Sequence, residues 1–158
     1  MKVLVSGGAG FIGGCTVRDL IKSGHEVYVF DNLICGHRQI LPKGISLIEG
    51  DIRTPQDIKK ALEGKKFDAL MHFAAFTIVP ESVENPVKYF ENNVQGSVNV
   101  LNAMVEAGLK YFVFSSSAAV YGAPKEIPIT EKSPTLPENP YGQTKLTIEE
   151  YLRWYELA

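Results

Sequence analysis

The chain alternates short apolar, β-branched runs with longer segments whose apolar residues recur every three to four positions. A two-residue period trading places with a 3.6-residue period predicts βαβ units and a parallel sheet. Strands are expected at residues 3–6, 26–31, 45–49, 67–73 and 111–115, and helices at 11–23, 55–63, 86–107 and from 141 to the end. Gly24 and Gly108 would stop the first and third helices, Thr54 would N-cap the second, and Asn85 before Pro86 would open the third. The proline-rich stretch 124–140 reads as an irregular loop. With no repeat, low-complexity tract or linker, the chain is expected to be one domain over 1–158.

The third helix carries more apolar surface than one buried face needs. Val87, Phe90, Val94, Val98, Leu101 and Val105 form a stripe at helical spacing, while Tyr89, Val100, Met104 and Ala107 enrich another side. One side is expected to pack on the sheet and the other on a partner helix, of this chain or of another subunit. The alternative is a helix deep inside a larger core.

Composition narrows the function classes. A net charge of −2 leaves no basic excess for a nucleic-acid or membrane-surface partner. No run approaches the ~18 apolar residues of a membrane span, and the start is too short in apolar residues for a signal peptide. Cys15 and Cys35 have no metal-ligand spacing and read as free thiols of a cytoplasmic protein. His25, His37 and His72 are scattered, so no metal site is expected.

Four segments carry chemistry. Gly7-Gly8-Ala9-Gly10-Phe11-Ile12-Gly13 joins the first strand to the first helix. Glycines there allow a tight turn, a close backbone approach to a pyrophosphate, and close helix–strand packing. Gly7, Gly10, Phe11, Ile12 and Gly13 are therefore candidate cofactor contacts at a helix N-terminus that favours negative charge. Asp31, at the end of the second strand, could accept hydrogen bonds from an adenosine ribose and repel a 2′-phosphate, which favours NAD over NADP. A turn-forming role with Asn32 is the alternative. Asp51 and Ile52 follow the third strand and could meet the adenine, although Gly50-Asp51 also looks like a turn. Finally, Tyr141 and Lys145 stand four apart on a helix face, so the ammonium could lower the phenol from its usual pKa of about 10. Such a phenol moves protons, and with a dinucleotide the pair points to redox chemistry on an alcohol.

The motifs GGAGFIG (7–13), GDIR (50–53), HFAA (72–75), ENNVQGSVNVL (91–101), FSSSAAVYG (114–122) and YGQTK (141–145) together resemble the N-terminal half of an extended short-chain dehydrogenase/reductase. The resemblance is greatest to NAD-dependent nucleotide-sugar epimerases of the UDP-glucose 4-epimerase type. It implies a Rossmann-like doubly wound sheet of order 3-2-1-4-5. It implies that Phe73, Ala74 and Ala75 line the cofactor cleft with Asn32 and Ser115, and that Asn93 orders the site. It also implies that Ser117 hydrogen-bonds the reacting hydroxyl, Tyr141 takes its proton, and Lys145 binds the nicotinamide ribose and steadies the phenolate. The implied partner is a UDP-hexose, and the implied assembly is a homodimer through the 86–107 and 141–158 helices.

Related dehydratases carry an Asp-Glu pair where this chain has Ala118 and Ala119, so dehydration is disfavoured. Some epimerases carry a lysine where Thr77 stands, which leaves the sugar open. Family members exceed 300 residues, so the chain is expected to be a truncated NAD-binding domain without the substrate domain. It would then bind NAD with or without turnover; a sugar dehydrogenase or reductase of the same superfamily is the further alternative.

Overall fold

The computed structural model describes residues 1–157. Five strands, β1 (Lys2–Ser6), β2 (Glu26–Asp31), β3 (Ser46–Glu49), β4 (Ala69–His72) and β5 (Tyr111–Phe114), form one parallel sheet in the order β3-β2-β1-β4-β5. That is the doubly wound order expected from the motifs. The helices are α1 (Phe11–Lys22), α2 (Pro55–Leu62), α3 (Val79–Glu84), α4 (Pro86–Tyr89), α5 (Gly96–Glu106) and α6 (Pro140–Leu157), with a π-helical segment at Phe90–Gln95.

The chain forms two compact units, one of residues 1–75 with 99–115, the other of residues 76–98 with 116 onward. The first holds the sheet. Successive side chains of a strand point to opposite faces, and both faces are covered at β1, β2 and β4, while Tyr111 and Val113 of the edge strand β5 are exposed. Leu4, Phe30 and Leu70 pack with Ile58, Ala61 and Leu62 of α2 and with Val100, Ala103 and Met104 of α5. Val3, Val5, Val27 and Val29 pack with Val17 of α1. Double burial is why these strands read as nearly continuous apolar runs. In the register, Ser6 stands beside both Phe30 and His72, so β1, β2 and β4 end level and release their loops at one edge.

In the second unit α6 packs on α3, α4, the π segment and a 3₁₀ turn at Ala118–Tyr121. Tyr89 is fully buried there, its hydroxyl within 2.7 Å of the Ile78 carbonyl and of Glu81 Oε2.

Several local expectations need correction. Thr54 occupies the N-cap position of α2, but its side chain makes no capping bond; Pro55 and the first-turn Asp57 open the helix instead. Helix α3 was not anticipated. The long helix is continuous in sequence but passes through the π segment, where Asn92 and Asn93 are both buried. Of its apolar stripe only Leu101 is buried, and Val87, Phe90 and Val105 are exposed. The other expected side is the buried one: Tyr89, Val100 and Met104 are buried, together with Asn92, Asn93 and Ser97. What the pattern missed is the middle of that face, held by hydrogen-bonded asparagines and a serine.

Candidate functional site

The first unit builds the glycine turn expected to cradle phosphates. Gly7 has φ +73°, and its N–H donates to the Phe30 carbonyl at 2.8 Å. A Cβ on Gly7 would lie 2.4 Å from the Ala74 nitrogen and 2.6 Å from the Phe73 carbonyl carbon, so the turn lies directly on the backbone of that segment. A Cβ on Gly13 would lie 2.3 Å from the Gly7 oxygen, which brings the first turn of α1 equally close. Gly10, the N-cap residue, differs: a Cβ there meets only the Gly7 oxygen at 3.3 Å. The next residue, Phe11, is 85% exposed, and Ile12 is exposed too. The N–H groups of a first helical turn have no carbonyl partner within the helix and carry a partial positive charge. A glycine backbone, an open helix N-terminus and no side chain in the way therefore fit the pyrophosphate of a dinucleotide.

Asp31 is only 7% exposed. Its Oδ2 accepts the Ala9 N–H at 2.9 Å and its Oδ1 accepts the Leu33 N–H at 2.8 Å. A carboxylate offers about four acceptor positions, so both oxygens keep capacity for ribose hydroxyls. Asn32 Nδ2 donates to Asp51 Oδ2 at 3.0 Å. Asp51 also accepts from the Arg53 N–H and Nε, and hydrogen bonds from Arg53 hold its carboxyl down to about 2. The Ile52 side chain belongs to the core, and its carbonyl accepts from Asn99 Nδ2 at 2.9 Å. Phe73 donates its N–H to the Ser6 carbonyl at 2.8 Å, and Ser115 donates its own to the His72 carbonyl at 3.1 Å. Ala74 and Ala75 continue from β4 and are half-buried. The cofactor candidates of this unit thus follow the carboxyl ends of the strands, where ligands of open α/β sheets bind.

The second unit holds Tyr141 and Lys145, the pair expected to move a proton. Asn139 Oδ1 accepts the Gly142 N–H at 2.8 Å, and the Tyr141 N–H donates to Ser82 Oγ at 3.2 Å. A Cβ on Gly142 would lie 2.6 Å from the Ala119 oxygen, so the bare glycine lets the 118–121 turn rest on the first turn of α6. Ser117 caps that turn, its Oγ accepting the Ala119 N–H at 3.2 Å. Ser116 Oγ is hydrogen-bonded to Glu149 Oε1, farther along α6. Thr144 is fully buried and receives Asn93 Nδ2 at 3.2 Å. Asn93 also accepts the Phe76 N–H at 2.9 Å and donates to the Phe76 carbonyl at 3.0 Å, tying that backbone to α6. Ser82, Asn139, Gly142 and Thr144 were missed as supporting residues. Only Gly142 left a signal, since a glycine inside a helix is costly without a packing reason.

Tyr141 and Lys145 are both buried, and Lys145 Nζ lies 6.0 Å from the tyrosine ring centroid. Burial pushes the Lys145 ammonium from 10.5 down to about 8. The sign follows from proton counting. Between those two values the unfolded chain binds more protons than the folded one, so this lysine makes stability rise with pH across that window. Urea unfolding at pH 7.5 and pH 10 should therefore show the chain gaining about 2 kcal/mol relative to Lys145→Met. A constant difference between the two proteins would show that the ammonium is solvated.

Among the described residues, no group of three or more His, Cys, Asp or Glu side chains could hold a metal, and no helix is long and apolar enough to cross a membrane. A parallel sheet with a glycine cradle at its carboxyl edge, and a Tyr-Lys pair on a later helix, define a dinucleotide-dependent protein of the Rossmann type. The chain belongs to the NAD dependent epimerase/dehydratase family, whose model matches residues 3–158. It is 51% identical over 158 residues to a UDP-glucose 4-epimerase of Lactobacillus helveticus and 46% identical to one of Lacticaseibacillus casei, covering all of this chain and 48% of each relative. It also resembles the solved UDP-glucose 4-epimerase from Brucella ovis in complex with NAD, with a TM-score of 0.96 and 42% identity, over 99% of this chain and 48% of that one. The chain thus spans about half the length of the relatives it matches.

Proposed function

We propose that the chain supplies the NAD-binding and proton-transfer half of a nucleotide-sugar 4-epimerase acting on a UDP-hexose. One observation carries this over the other activities of the family. The turn that Ser117 caps bears Ala118 and Ala119, so no carboxyl group stands there to remove water from a sugar. The similarity to enzymes named UDP-glucose 4-epimerase supports the substrate class.

Gly7, Gly10, Phe11, Ile12 and Gly13 would hold the pyrophosphate, and Asp31 with Asn32 the adenosine ribose. Asp51, Ile52, Phe73, Ala74, Ala75, Asn93 and Ser115 would border the remaining cofactor, and Lys145 would hold the nicotinamide ribose. When bound, NAD would supply reversible hydride acceptance for the carbon that bears the sugar 4-hydroxyl. Tyr141 removes the C4 hydroxyl proton as the carbonyl forms and returns it when the alcohol is remade. Ser117 orients that hydroxyl. Lys145 supplies positive charge beside the tyrosine while the proton is away.

The finer assignments are a homodimer and a cytoplasmic location. Exposed Val87 and Phe90 on the long helix, with Trp154 and Leu157 on α6, support an interface between copies. Free, exposed Cys15 and Cys35 support a reducing compartment. The test is a coupled assay of UDP-glucose and UDP-galactose interconversion beside a direct reading of NADH, on this chain and on the complete polypeptide that carries it. Interconversion without net NADH is expected of the complete polypeptide. Steady NADH accumulation would replace the epimerase by a sugar dehydrogenase.

A further inference from the structure

The segment after β2 folds back over the glycine turn. Leu33 takes the left-handed conformation (φ +58°), its N–H held by Asp31 Oδ1, and the Ile34 N–H donates to Asn32 Oδ1 at 3.0 Å. Three residues on, the His37 N–H donates to the Ala9 carbonyl at 2.8 Å. Ala9 is therefore gripped at both backbone polar groups, its N–H by Asp31 and its carbonyl by His37. Gly36 lies in the middle of this clasp. A Cβ there would stand 2.7 Å and 3.0 Å from the two carboxylate oxygens of Asp31 and 2.8 Å from the Ala9 Cβ.

Gly36 is not among the glycines with positive φ, so space alone demands a glycine. An unrestrained carboxylate could swing away from a new methyl group. This one is pinned by two backbone N–H groups, so moving it breaks at least one charge-assisted bond and loosens the phosphate cradle.

We propose that Gly36 is a positioning residue for dinucleotide binding, its missing side chain keeping the Asp31 carboxylate on the glycine turn with capacity left for the adenosine ribose. The proposal rests on the NAD reading above. It adds a residue that no motif marks, and it makes the connection after β2 part of the cofactor site.

The experiment is a double-mutant cycle read by NAD and NADP titration of this chain, with thermal unfolding of each variant as the folding control. Gly36→Ala should weaken NAD about tenfold or more and narrow the preference over NADP. Because Gly36 acts through Asp31, the substitution should add less than about threefold on top of Asp31→Ala. An NAD affinity of Gly36→Ala within twofold of the parent overturns the proposal, as does a double variant whose loss equals the product of the single losses. Should Gly36→Ala fail to fold, Ala9→Gly/Gly36→Ala removes the methyl–methyl contact and keeps the one with the carboxylate. Weak NAD binding in that folded variant supports the proposal, and full recovery overturns it. A parent chain that binds no dinucleotide sinks the NAD reading itself, which separates the two failures.

Discussion

Tyr141→Phe in the complete polypeptide is expected to lower sugar interconversion by about 10²–10⁴-fold while leaving NAD affinity within about threefold of the parent. The substitution removes one oxygen and nothing else. The Tyr141 backbone N–H still reaches Ser82, its carbonyl still accepts from Thr144, and Gly142 still seats the helix on Ala119. The aromatic ring keeps its buried position beside Lys145. What disappears is the group proposed to carry the hydroxyl proton, so the expected loss belongs in kcat and not in cofactor binding. Turnover within about fivefold of the parent would remove Tyr141 from the chemistry and move attention to Ser117.

The second large effect separates two glycines three residues apart. Gly13→Ala is expected to cost about 3 kcal/mol of stability or more, because its methyl group meets the Gly7 oxygen at 2.3 Å and the Gly8 Cα at 2.9 Å. Those are backbone atoms with no rotamer to change, so α1 must move off the turn and NAD binding goes with it. Gly10→Ala should leave stability within about 1 kcal/mol, since its methyl group meets only the Gly7 oxygen at 3.3 Å. It should still weaken NAD at least tenfold, because the methyl group would occupy the approach of the pyrophosphate. Thermal unfolding and NAD titration of both variants check the contrast. A Gly10→Ala protein that binds NAD normally would show that the phosphates do not approach this turn.

The strands were legible because a parallel sheet covered on both faces turns each strand into a short apolar run, and β2 came out at its observed bounds. The cradle was legible for a related reason: glycines at a strand–helix junction have few other uses. The long helix was legible in part, for a physical cause. Periodicity counts apolar residues and so found Tyr89, Val100 and Met104, but the middle of the buried face is carried by Asn92, Asn93 and Ser97, whose hydrogen bonds cannot be counted from spacing. Gly36 was invisible because its constraint comes from Ala9, distant in sequence, and from the Asp31 carboxylate, which meets it only once the loop folds back. Tyr141 and Lys145 were visible as a pair, but Thr144 and Ser82, which hold their helix, carry no local signature.

The π turn at Phe90–Gln95 works as a phase shifter. A straight α-helix turns about 100° per residue, and a wider turn sets neighbours closer in direction. Asn92 and Asn93 are neighbours, yet both point inward, with Asn92 Nδ2 bonded to Asn93 Oδ1. Removing one residue from this turn would restore the α phase and swing Asn93 away from Phe76 and Thr144. The helix would be more regular, and α6 would lose the brace that Asn93 gives it.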